Sequence, residues 1–362
     1  MEKIKVGILG ATGMVGQNYI KLLKNHPWFE ISYLAASENS ANKTYEQAVR
    51  GRWQMDTPLE DKIKKIIVGN VSDISKAKGK CRFVFSAFEI SDKEQIRKIE
   101  NEYAKNDIPV VSNASAHRKT KDVPMLIPEI NPEHLDIIKI QQKNNGWNKG
   151  FVAVKPNCSL QSYLTAVYAL MQKGYKVKKM FISTLQALSG AGYPGVASLD
   201  ICDNVLPFIS GEEEKSEQEP LKILGEIKDN KFENFQGLEI SAHCNRVPVV
   251  DGHLACVSLL FGDKKPKKQE IKKIWKNFKA LPQKLDLPFA PKQPIIYNKE
   301  ENRPQPRKDR DNDKGMALTV GRLRQCNIFD IRFSALSHNT IRGAAGGGIL
   351  NAELLVKKGY IK

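Results

Sequence analysis

An α/β protein in two parts is what this 362-residue sequence predicts: a doubly wound parallel-sheet domain, then an α+β domain built on a mixed sheet. Three observations carry the prediction. The chain is longer than one ordinary domain needs. Short apolar runs alternate with helical stretches up to about residue 150, which implies right-handed crossover units and a parallel sheet. From about Phe151 the pattern changes to alternating extended segments, the mark of a mixed or antiparallel sheet. The expected boundaries are 1–156 for the first domain and 157–338 for the second.

The elements follow in order. KVGIL (5–9) is a short apolar strand, and 14–24 a helix with Val15, Tyr19, Ile20, Leu22 and Leu23 on its apolar face. FEISYLAAS, CRFVFSAF (81–88) and IPVVSNAS (108–115) read as further strands, and VAVKPN as the next. A helix is expected over 159–172, then a strand in KKMFISTLQAL and an acidic helix start in GEEEKSEQEPLKIL. CNRVPVVDGHLACVSLLFG reads as extended chain. In 264–279, Ile271, Ile274, Trp275 and Phe278 fall at i, i+3, i+4 and i+7, the stripe of a surface helix whose lysines face water. The segment 281–313 reads as a long loop, and the tail NTIRGAAGGGILNAELLVKKG as a helix entered through glycines.

Composition excludes several classes. No apolar run approaches the roughly 18 residues of a spanning helix, and MEKIKVGILGATG runs straight into a strand, so a cytosolic protein without membrane association is expected. The net charge of +17 comes from dispersed lysines without an RNA-binding signature or helix-turn-helix pattern, so no nucleic-acid partner is expected. The 6 cysteines include no CxxC pair, which argues against a disulfide framework and against a bound metal.

Gly10-Ala-Thr-Gly13-Met-Val-Gly16 follows a strand and opens a helix, the setting of a dinucleotide turn. The first glycine allows the tight turn, the second lets a pyrophosphate approach, and the third lets helix and strand pack closely. The second strand ends in Leu34-Ala-Ala-Ser37-Glu38-Asn39-Ser40, with Lys43 behind it. Hydroxyls and a lysine suit the 2′-phosphate of NADP, whereas Glu38 alone would suit the ribose of NAD.

Cys158 sits between the strand VAVKPN and the helix expected from 159, where a helix dipole lowers a thiol pKa. It is either a nucleophile or one more small buried side chain. Arg246 and His253 lie in one extended stretch, seven residues apart, and meet on one face only if the chain bends, which Gly252 permits. The pair would supply a carboxylate fork and an acid/base, or else a partly buried histidine. Glu212 and Lys215, at i and i+3, are a surface ion pair or a clamp for a zwitterion.

Together GATGMVG, SNASAHR, PNCSL, STLQALSGAGYPG, the EEEK run and CNRVPVVDGH resemble the aspartate-semialdehyde dehydrogenases. RPQPRKDRD, GMALTVGRLR and NTIRGAAGG resemble the branch shared by archaea and fungi. The resemblance covers nearly the whole chain. It implies a Rossmann-type first domain and a catalytic and dimerisation domain. Cys158 would be the nucleophile, Gln186 would orient the acyl intermediate, and His253 would be the acid/base. Arg246 would hold the substrate carboxylate, Glu212 (or its neighbour Glu213) the amino group, and Arg118 with Lys215 the phosphate. Gly10, Thr12, Gly13, Met14, Val15, Gly16, Ser37, Ser40, Lys43, Ser86, Ser189, Gly190 and Asn339 would contact NADP(H). Asn339 further implies that the C-terminal helix, 339–362, returns to the first domain.

The implied reaction reduces 4-phospho-L-aspartate to L-aspartate 4-semialdehyde with release of phosphate, in lysine, methionine and threonine biosynthesis, by a homodimer or homotetramer. A malonyl-CoA reductase on the same scaffold is the nearest rival, and would need a CoA adenine site in place of an amino-group partner. N-acetylglutamyl-phosphate reductase matches these motifs less well. A non-catalytic dinucleotide sensor would have no use for Cys158, Gln186, Arg246 and His253 together.

Overall fold

The computed structural model describes residues 2–362. Its first sheet holds β1 (Ile4–Leu9), β2 (Phe29–Ala36), β3 (Gly69–Asn70), β4 (Phe83–Ser86), β5 (Val110–Ser112) and β6 (Val152–Val154). They are parallel throughout, in the order β3-β2-β1-β4-β5-β6. The second half carries β7 (Val177–Gln186), a hairpin of β8 (Glu226–Lys228) and β9 (Lys231–Glu233), β10 (Glu239–Arg246), β11 (His253–Phe261), β12 (Ile295–Tyr297), β13 (Leu318–Gln325) and β14 (Ile331–Ser337). The longer helices are α1 (Met14–Leu23), α2 (Lys93–Lys105), α3 (Ile137–Asn145), α4 (Leu164–Met171), α5 (Glu212–Ile223), α6 (Lys268–Asn277) and α7 (Gly346–Lys357).

Both faces of the first sheet are apolar, as buried parallel strands require. Phe83 and Phe85 of β4 pack with Tyr19 of α1 and with Ile349, Leu350 and Leu354 of α7. Val84, pointing the other way, packs with Ile99 and Tyr103 of α2. The C-terminal helix therefore returns to the first sheet, and a buried contact ties it there: Glu353 lies 2.8 Å from His26 Nε2. The strand order reverses between β1 and β4, which opens a crevice at their carboxyl ends.

The second sheet runs β10-β7-β11-β14-β13-β12 and is mixed. β10 and β7 are parallel, as are β12 and β13, while the other neighbours are antiparallel. Ile182, Val257 and Phe333 on one face share a core with Ile271, Ile274 and Trp275 of α6, the stripe the spacing predicted. The Trp275 indole donates to Ala166 O of α4 at 2.9 Å. The opposite face stays open along Phe181, Leu185, Leu254, Cys256 and Leu260. Among the described residues no helix is long and apolar enough to cross a membrane.

Three expectations need correction. The helix expected over 159–172 is a 3₁₀ turn, Ser159–Ser162, a break at Tyr163 (φ −144°), and then α4. Arg246 and His253 do not share one extended stretch: they end β10 and begin β11, on opposite sides of β7. The intervening turn needs Gly252 at φ +103°. Segment 281–313 is not one loop, since it holds helical turns at Leu281–Lys284 and Pro306–Asp309 and the strand β12. Short pieces of this kind carry too few residues for periodicity to show.

Candidate active site

Gly10 turns the chain out of β1 at φ +76°, and a Cβ there would lie 2.6 Å from Phe88 N. A Cβ on Gly16 would come within 2.3 Å of Gly10 O. Gly13 caps α1 without a side chain, so the first-turn amides of Met14, Val15 and Gly16 face outward for an anion. A cavity of about 420 Å³ opens beside them, lined by Gly10, Thr12, Gly13, Ser37 and Glu38, with Asn70 at the end of β3, Ser72 just beyond it, and Phe88 to Ile90 after β4. This crevice suits a dinucleotide. Ser40, Lys43 and Ser86 do not line it. Ser40 and Ser86 are buried, and Lys43 is exposed with Nζ donating to Asn39 O at 2.8 Å.

The second constellation gathers around Cys158, in the loop leaving β6. Gln186 ends β7, Arg246 ends the parallel β10, and His253 begins the antiparallel β11, so all three project from one end of the second sheet. His253 Nε2 lies 3.4 Å from Cys158 Sγ. Ala187 positions two of these groups at once: its N–H donates to His253 Nδ1 at 3.0 Å, and its carbonyl accepts from Arg246 Nη1 at 2.8 Å. Because Nδ1 accepts that bond, the neutral ring carries its proton on Nε2 and donates toward the sulfur. Burial, and then Arg246, push the His253 pKa down to about 3. In this tautomer the His253 ring presents a hydrogen-bond donor to the sulfur.

Arg246 is 6% exposed and has no carboxylate partner among the described residues. Four of its five N–H donors remain for a ligand. Gly190 permits this crowding, since a Cβ there would sit 2.7 Å from Arg246 Nη1 and 3.1 Å from His253 Cε1. Asn339 donates to Ser189 Oγ at 2.8 Å and accepts from Gly252 N at 2.8 Å, so Ser189, Gly190 and Asn339 gather at the reacting centre.

Glu212 faces the same centre from the first turn of α5. It accepts from both Asn157 Nδ2 (2.8 and 2.9 Å) and Gln186 Nε2 (3.2 Å), and pairs with Lys215 at 2.9 Å. Burial opposes its charge, yet Lys215 and the two amides hold its pKa below the usual value. Glu213 instead accepts from Cys244 N of β10. Arg118 pairs with Glu219 at 3.0 Å and donates to the carbonyls of Lys155 and Asn113. Arg118 and Lys215 converge on Lys93, at the start of α2, whose pKa is lowered by burial and then by these two cations.

Cys158 corrects a further expectation. Its pKa is raised, not lowered, by burial and then by Glu212, with Lys155, Arg118 and Arg246 pulling the other way. A 3₁₀ turn of four residues supplies little of the dipole that a long helix would.

Sequence reasoning missed Asn157, Lys155, Glu219, Lys93 and Gly343. A Cβ on Gly343 would lie 2.9 Å from Cys158 Cβ, so the tail packs directly against the Cys158 backbone and Cβ. The glycine run in GAAGGG was the one visible signal. Nothing local marks the others, because their roles arise from contacts across the chain.

Comparison with known proteins gives the same picture. Residues 5–138 match the family described as semialdehyde dehydrogenase, NAD binding domain, and 167–342 the semialdehyde dehydrogenase, dimerisation domain. The chain is 44% identical to an aspartate-semialdehyde dehydrogenase from Archaeoglobus fulgidus, over 99% of this chain and 100% of the relative. It is 46% identical to one from Methanothermobacter thermautotrophicus, over 97% and 99%. The crystal structure of aspartate semialdehyde dehydrogenase with NADP from Candida albicans superposes with a TM-score of 0.89 at 38% identity, covering 99% of this chain and 100% of that one. This chain belongs to the aspartate-semialdehyde dehydrogenase family.

Proposed function

We propose that this chain reduces 4-phospho-L-aspartate to L-aspartate 4-semialdehyde with NADPH, through a thioester on Cys158, as a step of amino-acid biosynthesis. The observation that carries the reading is the Cys158–His253 contact of 3.4 Å beside Arg246, a buried arginine without an ion-pair partner among the described residues. An α-carboxylate fits that fork, and the substrate ammonium fits Glu212. A malonyl group brings no ammonium to Glu212.

Gly10, Thr12, Gly13 and the first turn of α1 would hold the dinucleotide phosphates, with Ser37 at the adenosine end and Ser189, Gly190 and Asn339 beside the reacting carbon. Lys43, exposed with two ammonium donors free, is the cation for the 2′-phosphate. When bound, the nicotinamide supplies hydride to the acyl carbon. The chain's own groups do the rest. The Cys158 thiolate attacks the acyl carbon, and the tetrahedral oxyanion accepts from His253 Nε2–H. The C–O bond to phosphate breaks, and Arg118, Lys215 and Lys93 neutralise the departing anion. After reduction, the hemithioacetal oxyanion re-forms its C=O bond and expels the Cys158 thiolate, so His253 need not lose its proton. A covalent intermediate divides one difficult step into two easier ones.

The open face of the second sheet, with Phe181, Leu185 and Leu254, supports a homodimer through this sheet. Analytical ultracentrifugation of Leu254→Glu against wild type tests it; an unchanged mass would exclude this face. The activity is tested at 340 nm. Semialdehyde with phosphate and NADP should raise the absorbance, while malonyl-CoA should not consume NADPH. The opposite pattern would replace this reading with an acyl-CoA reductase.

A further inference from the structure

Lys155 lies three residues before Cys158 and is 2% exposed. Its Nζ donates to Pro156 O at 2.8 Å, and among the described residues it has no ion-pair partner. One acceptor leaves two ammonium donors without a protein partner, and a buried charge in that condition is costly.

The carboxylates around it are already engaged. Glu219 accepts from Arg118 at 3.0 Å and from Asn157 N at 2.7 Å. Glu129 takes the Arg342 fork at 2.5 and 2.8 Å. Glu212 is held by Asn157, Gln186 and Lys215. Arg118 and Arg342 oppose a further positive charge here. Cys158 is the remaining group that can become an uncommitted anion. His253, locked with its proton on Nε2, cannot take the thiol's proton, though it can donate to the thiolate.

One segment fixes both partners. A Cβ on Gly347 would lie 3.1 Å from Lys155 Cδ, and one on Gly343 would lie 2.9 Å from Cys158 Cβ. The Arg342–Glu129 fork anchors that segment. The Lys155 stem and the Cys158 Cβ are thus both packed against the same segment of the tail.

We propose that Lys155 is a positioning residue whose ammonium is the counter-charge of the Cys158 thiolate and sets how much of the thiol is ionised. The titration behaviour agrees: burial pushes the Lys155 pKa down to about 7 while Cys158 acts to raise it. Among the cations near the sulfur, Lys155 lowers the thiol pKa most, ahead of Arg118 and Arg246. This inference rests on Cys158 being the nucleophile, but its test does not read turnover.

The test is the rate of iodoacetamide alkylation of Cys158 against pH, followed by peptide mass, in wild type, Lys155→Met and Lys155→Arg. Lys155→Met should raise the apparent thiol pKa by about one unit and slow alkylation at pH 7 about tenfold. Lys155→Arg, which keeps the charge, should recover most of the rate. A folded Lys155→Met with the wild-type profile would overturn the proposal. Should Lys155→Met fail to fold, linkage supplies the second arm, because coupling between two sites is reciprocal. In Cys158→Ser, side-chain NMR should show Lys155 titrating lower than in wild type, and an unchanged titration would overturn the proposal. Turnover surviving in Cys158→Ser would instead remove the nucleophile assignment, which these titrations do not measure.

Discussion

The nucleotide turn draws its parts from seven consecutive residues, Gly10 to Gly16, whereas the acyl pocket gathers side chains from positions 93 to 339. In the turn, each glycine meets a backbone atom close by in the fold, so the spacing alone encodes the geometry. In the pocket, Ala187 aims Arg246 and His253 from just past the end of β7, a strand that neither belongs to. A local motif can therefore be read directly, while an assembled pocket becomes readable only after the sheets are in register. The contrast extends to electrostatics. The turn offers amides whose polarity the helix fixes, but the Cys158 thiol is set by burial, Glu212 and Lys155 together.

The largest effect expected is in the pocket. Cys158→Ser should lower turnover of semialdehyde by about 10⁴-fold or more, since a serine hydroxyl ionises too rarely without a base. NADP binding, followed by fluorescence titration, should hold, because the turn is built separately. Loss of NADP binding in that variant would break the contrast between the two regions.

His253→Ala should lower kcat by about 10²–10³-fold, the cost of one oxyanion donor. The sign of its pH behaviour follows from its depressed pKa: the ring is neutral at any pH above about 3 and donates unchanged from pH 5 to 9. A kcat limb near pH 6.5 that vanishes in His253→Ala would instead support the acid/base role read from the sequence. Arg246→Lys keeps the charge but loses the planar fork. It should raise KM for semialdehyde about tenfold or more, as loss of a charged hydrogen bond of about 1.5–3 kcal/mol implies. A drop in kcat alone would mean Arg246 acts on the transition state.

The smallest effect belongs to the nucleotide end. Lys43→Ala should weaken NADP about tenfold and leave NAD nearly unchanged, as isothermal titration with each would show. Equal weakening of both would place the 2′-phosphate elsewhere, and Glu38, which lines the crevice, would then become the discriminating residue.

How much was legible follows the same division. The α/β class, the strand that carries the turn, and the α6 stripe could be read because they repeat at a fixed period. Cys158, Gln186, Arg246, Glu212 and His253 were found through their motifs, and the fold brings all five together. Their surroundings were not legible. Nothing near Lys155 in the sequence marks it as buried beside the thiol, and nothing near Ala187 marks its paired hydrogen bonds. The single-helix reading after Cys158 failed because Tyr163 breaks the helix, and apolar spacing cannot report one backbone angle.

The central claim is a covalent acyl group on Cys158, and intact-protein mass spectrometry tests it most directly. Enzyme mixed with 4-phospho-L-aspartate in the absence of NADPH should gain one aspartyl group, mapped by digestion to the peptide containing Cys158 and absent from Cys158→Ser. Addition of NADPH should discharge it as semialdehyde. An unmodified protein that still turns over, or an adduct on another cysteine, would contradict the account.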